Sequence, residues 1–103
     1  MSYAPKDKHS ASINTQVNEE GILNLSIDGR LDSYTTGEVW KEAILALEHS
    51  SPKNIIVDAS GINYCDGSGI ALFVRLRELQ EKTGGKFEVH GLSSEFQQLL
   101  ERP

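Results

Sequence analysis

Asn54 to Leu79 reads NIIVDASGINYCDGSGIALFVRLREL, and this stretch decides the fold. It opens on Ile55-Ile56-Val57, a β-branched apolar run. Such a run suits a strand in the middle of a sheet or one covered on both faces. Asp58-Ala59-Ser60-Gly61 reads as the start of a loop that ends in Asp66-Gly67-Ser68-Gly69. A helix follows at once, from Ser68 to Lys82, with Leu72, Phe73, Leu76 and Leu79 as its core stripe. Ser68 stands where that helix begins, so its hydroxyl meets free amide N–H groups and the positive end of the helix dipole. Three roles are open to it there: a helix cap, an enzyme nucleophile, or a phosphate-accepting switch.

The rest of the chain builds a layer around this unit. Residues 1–11 are polar, with Pro5 and scattered charge, and read as a flexible tail ahead of a single domain over 12–103. Ile13, Thr15 and Val17 alternate with polar residues, giving a strand over 12–18. Asn18-Glu19-Glu20-Gly21 is a hairpin turn with Gly21 at positive φ. Leu23, Leu25 and Ile27 then alternate along a second strand that runs out near Leu31. A helix over Thr35–His49 carries Val39, Trp40, Ala43, Ile44 and Leu47 on one face, and Ser50-Ser51-Pro52 stops it. Gly84-Gly85 closes the helix that begins at Ser68. Phe87 and Val89 mark a strand over 86–90, and Ser93 caps a last helix over 94–102 with Phe96, Leu99 and Leu100 inward. The order β-β-α-β-α-β-α makes an α/β fold: a four-stranded mixed sheet covered by three helices, packed on one face. The helix between the second and third strands requires a parallel crossover.

Composition removes several function classes. A chain of 103 residues builds one core. No apolar run approaches the roughly 20 residues of a membrane span, and the N-terminus has no apolar segment of a signal peptide. Cys65 is the single cysteine, which excludes an internal disulfide and suits a reducing, cytoplasmic setting. The net charge is −5, and no basic cluster exceeds Arg75 with Arg77, which argues against nucleic acid as the main partner.

The residues give little support to catalysis or to a cofactor. A nucleophile elbow needs Gly two positions before the serine, and here that residue is Asp66. His90, at the end of the fourth strand, is the histidine placed to approach the Ser68 loop; the plain reading of it is an exposed strand terminus. No lysine follows Gly67 or Gly69, so the loop is no Walker phosphate cradle. Asp58 and Asp66 lie apart, and no His/Cys pair has ligand spacing, so no metal is expected. Cys65 reads as a small buried apolar residue. A phosphate on Ser68, by contrast, would gain from the helix N-terminus and would carry about −1.5 to −2 charges against Asp66 and Asp32. Gly67 and Gly69 leave room for another protein's active site. As a plain cap, Ser68 would contribute roughly 1 kcal/mol.

Asp66-Gly67-Ser68-Gly69-Ile70-Ala71-Leu72, within Ile55–Leu79, resembles the signature of STAS domains, which include the bacterial anti-sigma-factor antagonists. Gly29-Arg30-Leu31-Asp32 resembles the family's Gly-x-Leu-Asp element, and Gly84-Gly85 and Gly91-Leu92-Ser93 to Leu100 match as well. The resemblance covers about residues 12–102. It implies a non-catalytic, cytoplasmic regulatory domain that works by partner switching. In the antagonists the motif is Asp-Ser-Ser-Gly, and an anti-sigma kinase phosphorylates the second serine, which falls on Ser68; Gly67 replaces the first. The family also supplies cytoplasmic domains of transporters. The stretches Tyr64–Gly69 and Ser94–Leu100 resemble STAS domains of ABC systems for phospholipid transport, free-standing or fused ahead of a permease. The chain ends at Pro103, directly after the last helix, where antagonists run on further, which suggests a domain excised from such a fusion. Implied partners are therefore an anti-sigma-factor kinase or an ABC permease or ATPase subunit, at the inner face of the membrane in the second case.

Ile70, Ala71 and Val74 lie off the Leu72/Leu76/Leu79 stripe. They either pack under the loop or form an apolar docking patch beside Ser68. The expected partner-binding set is Asp32, Asp66, Gly67, Ser68, Gly69, Ile70, Ala71 and Val74, with Ser68 the phosphorylation site, no catalytic residue and no cofactor.

Overall fold

The computed structural model describes residues 10–101. Most of the expected tail, through residue 9, lies outside the described residues, as does residue 102 of the expected last helix. The elements are β1 (Ala11–Val17), β2 (Ile22–Leu31), α1 (Thr36–Ser50), β3 (Asn54–Cys65), α2 (Gly67–Lys82), β4 (Lys86–His90) and α3 (Ser94–Glu101). This is the expected α/β order. The strands form one sheet in the order β1-β2-β3-β4. β1 pairs antiparallel with β2, while β2/β3 and β3/β4 are parallel. No helix among the described residues is long and apolar enough to cross a membrane.

Alternation sets the core. Leu23, Leu25, Ile27 and Leu31 of β2 and Ile55, Val57, Ala59 and Cys65 of β3 are buried on one face. Val39 and Ala43 of α1 and Leu72, Phe73 and Leu76 of α2 close over them. The opposite face is polar, and Ile56 upon it is only half-buried. The Ile55–Val57 run thus reflects a central position in the sheet and not cover on both faces. In the β1–β2 hairpin, Asn18 Oδ1 accepts from Glu20 N and Ile22 N, and Gly21 has φ +82° as its position required.

The expected loop from Asp58 is the main correction. β3 continues through it to Cys65. Its pairing with β2 slips between Ser26 and Asp28 and again between Gly29 and Arg30, so β3 carries an extra residue at each irregularity. Small and polar residues at these slips (Ser60, Gly61, Asn63) break the apolar alternation and disguise the strand. Two stripe assignments also change. Leu79 is half-buried, and the buried residue of that turn is Gln80, 1% exposed, whose Nε2 donates to Pro52 O at 2.9 Å. Leu99 is 41% exposed, because α3 packs through Phe96 and Leu100, one turn apart, and Arg77 donates to Leu100 O.

The length of β3 positions the site. Leu31 pairs with Cys65, and Asp66 N donates to Leu31 O at 3.1 Å. The turns leaving β2 and β3 therefore start side by side, at Asp32 and Asp66, and α1 and α2 begin as neighbours.

Candidate functional site

Asp66, and not Ser68, caps α2. Its backbone is extended, at φ −106° and ψ −166°, and its Oδ1 accepts from Ser68 N at 2.8 Å. Its carbonyl takes the N–H of Gly69 and of Ile70. A carboxylate in the cap position satisfies an orphan amide and places negative charge on the dipole's positive end. Ser68 falls in the first turn, and its hydroxyl is free for other contacts.

Those contacts are specific. Ser68 Oγ lies 2.6 Å from Asp66 Oδ1 and 3.0 Å from Thr36 Oγ1. A serine hydroxyl has one proton, which goes to the carboxylate, so Thr36 donates to Ser68. Thr36 is 3% exposed and stands in the first turn of α1. The result is a short relay from Thr36 through Ser68 to Asp66 that ties the two helix N-termini together. The Ser68 hydroxyl bond holds the Asp66 carboxyl below its ordinary pKa; burial opposes this, the N–H groups of Ser68 and Gly69 add to it, and the charge of Asp32 works against it.

Asp32 is placed differently. It is 5% exposed, and its Oδ1 accepts from Tyr34 N at 2.8 Å and Thr35 N at 3.1 Å. Its Oδ2 takes Arg30 Nε at 2.8 Å, and the Arg30 guanidinium stacks 3.7 Å from the centroid of the Tyr64 ring. Asp32 shapes the turn into α1 and offers little surface of its own. The turn presents Tyr34, 86% exposed.

Two glycines of the loop have opposite characters. A Cβ on Gly69 would sit 2.5 Å from Cys65 Sγ and 3.1 Å from Leu31 Cβ, so α2 approaches the sheet there only without a side chain. Among the described residues nothing lies within 4 Å of a Cβ built on Gly67. Of the apolar set, Ile70 and Val74 are half-buried against the core and Ala71 is exposed. Cys65 is buried, and burial first, then Asp66, pushes its thiol up to about 11, which keeps it protonated at neutral pH.

His90 does not approach Ser68. It pairs with Asp58, and β3 runs on from there to Cys65, roughly 20 Å at about 3.3 Å per residue. Its Nε2 lies 3.0 Å from Glu88 Oε1. Among the described residues no three metal-ligating side chains come together.

The structure thus gathers Asp32, Asp66, Gly67, Ser68 and Gly69 at one end of the sheet, with Ile70, Ala71 and Val74 running down α2. Sequence reading missed Thr36, Tyr34, Arg30 and Tyr64. A signal for Thr36 existed: it stands three residues before Val39, a polar residue on the apolar face of α1. Tyr34 had none, since exposure of a turn aromatic is set by tertiary structure.

A family model described as "Mlab, STAS domain" matches residues 15–102. The chain belongs to the STAS family. Among curated protein sequences none matches. The fold resembles that of the anti-sigma-factor antagonist SpoIIAA in its unphosphorylated form, with TM-score 0.71 at 19% identity over 87% of this chain and 82% of that one. The phosphorylated form of the Bacillus cell-fate determinant SpoIIAA gives TM-score 0.69 at 19% identity, over 87% and 81%. The murine anion transporter Slc26a9 gives 0.65 at 16% identity, over 88% of this chain and 18% of that one.

Proposed function

We propose that the chain is a non-catalytic regulatory domain that docks on a protein partner through the surface around the N-terminus of α2, with phosphorylation of Ser68 governing the contact in the manner of an anti-sigma-factor antagonist. The observation that carries this is the double engagement of Ser68 Oγ, 2.6 Å from Asp66 and 3.0 Å from Thr36. A phosphate there removes the proton given to Asp66 and sets about −1.5 to −2 charges against that carboxylate. The helix N-terminus still favours the group, so the modified loop persists but with a reorganised surface. The open space at Gly67 lets a kinase reach the hydroxyl. Ser68 is bonded to a carboxylate and a hydroxyl, with no imidazole beside it among the described residues, which supports docking over catalysis. Asp66 through Val74, with the turn shaped by Asp32, forms the docking face, and the partner is a cytoplasmic kinase.

A second reading rests on its own observation: the matching family model is described by Mlab and not by an antagonist, and Gly67 departs from Asp-Ser-Ser-Gly. In it the chain is the STAS regulatory domain of an ABC-type phospholipid transporter. It docks on the permease or ATPase subunit at the inner face of the membrane, and the Ser68–Thr36 pair is a fixed part of that face.

The test is incubation of the full chain with ATP and the kinase encoded nearest to it, followed by mass spectrometry. Phosphate on Ser68 alone is the expected result; label elsewhere, or none, removes the switch. Co-purification with permease and ATPase subunits, unaffected by kinase and ATP, selects the second reading.

A further inference from the structure

The two edges of the sheet are built differently. β4 is short, and Lys86, Glu88 and His90 are exposed along it. β1, at the other edge, spans Ala11–Val17 with no charged residue, no proline and no slip in its pairing with β2. Edge strands are ordinarily protected by charges, prolines or bulges, because their free backbone groups invite another strand. β1 has none of these.

The phase of its ladder shows which groups are free. Arg30 N donates to Ser10 O at one end, and Asn18 N donates to Ile22 O at the other. Hydrogen-bonded pairs alternate in an antiparallel ladder, so the even-numbered residues of β1 bond to β2. Ala11, Ile13, Thr15 and Val17 direct their N–H and C=O to the outer edge, with no backbone partner among the described residues. Their side chains lie on the helix side of the sheet, where Ile13 is half-buried and Val17 is 52% exposed.

We infer that β1 is a dimer interface, pairing antiparallel with β1 of a second copy of this chain about a two-fold axis at Asn14. Only odd residues have free backbone groups, so odd must face odd. Full overlap then sets Ala11 opposite Val17, Ile13 opposite Thr15 and Asn14 opposite itself. This register keeps the helices of both copies on one side of a continuous sheet. On the open side Ser12 meets Gln16 and the Asn14 amides meet each other, and each amide has both a donor and an acceptor. A second copy also meets no like charge on this edge despite the net charge of −5, whereas a charged partner strand would find no counter-charge.

Asn14 opposite Asn14 is a non-hydrogen-bonded pair, with Cα atoms about 4.5 Å apart. That lies inside the disulfide range of about 4.4–6.8 Å. Oxidised Asn14→Cys chain is therefore expected to form a covalent dimer at least tenfold faster than Ser12→Cys chain, whose thiol faces Gln16. Cys65 is buried and does not compete. Sedimentation of the unmodified chain up to about 1 mM, the weak end of specific affinity, is expected to show mass rising toward twice 11.4 kDa. Asn14→Lys chain with an unchanged circular-dichroism spectrum stays monomeric, and mixing it with Asn14→Glu chain restores the dimer. A monomer at every concentration, a dimer indifferent to Asn14→Lys, or equal cross-linking at the two positions overturns the inference.

Discussion

At its C-terminal end α2 closes on backbone. Gly84 N–H bonds to Glu81 O and Gly85 N–H to Gln80 O, with Gly84 at φ +83°, and the Gln80 side chain ties the end to Pro52. At its N-terminal end the same helix closes on side chains: Asp66, Ser68 and Thr36. The first end is a backbone motif that serves any sequence with glycine in place. The second depends on particular hydroxyls and carboxylates, and a change in protonation or a covalent group alters it. The proposed phosphorylation acts at the second end.

The comparison is broken most strongly at Gly69. Gly69→Ala sets a methyl 2.5 Å from Cys65 Sγ, and overpacking of this kind costs about 2 kcal/mol. Denaturant titration should show that loss, and Cys65→Ala in the same chain should recover part of it. Tyr34 comes next. Its side chain is exposed, so Tyr34→Ala should leave stability within about 0.5 kcal/mol. Binding to the partner should weaken at least about tenfold, as for an interface aromatic anchor. The cap is sharpened by two single changes: Asp66→Ala should cost about 1.5 kcal/mol and Ser68→Ala about 0.5 kcal/mol. Equal costs in thermal unfolding would return the cap to Ser68. The smallest effect is acid sensitivity. The Asp66 carboxyl is held below its ordinary value, so its contribution is complete above about pH 4 and fades as pH falls through the folded pKa. Melting temperatures from pH 6 down to pH 2 should fall more for the unmodified chain than for Asp66→Asn.

The element order and most core positions were legible because alternation and helical spacing carry them, as at Leu23, Leu25, Ile27, Leu72 and Phe73. The second half of β3 was not, because Ser60, Gly61 and Asn63 absorb its irregular pairing and interrupt the apolar pattern. Gln80 and Leu79 exchange roles because a buried bond to Pro52 O decides the matter, and that bond joins distant parts of the chain. Ser68 was legible as the residue of interest. Its partners were only half so: Asp66 was visible as a neighbour but read as a repelling charge and not as the cap. Thr36 showed only as a polar residue on the apolar face of α1, and its contact with Ser68 was not legible because it spans two helices.

Titration calorimetry of the Ser68-phosphorylated and unmodified chains against the same partner tests the switch most directly. Binding at least about tenfold weaker for the phosphorylated chain, or transfer to a different partner, is the predicted result, a change of about 1.4 kcal/mol. Equal affinity of the two forms would contradict it.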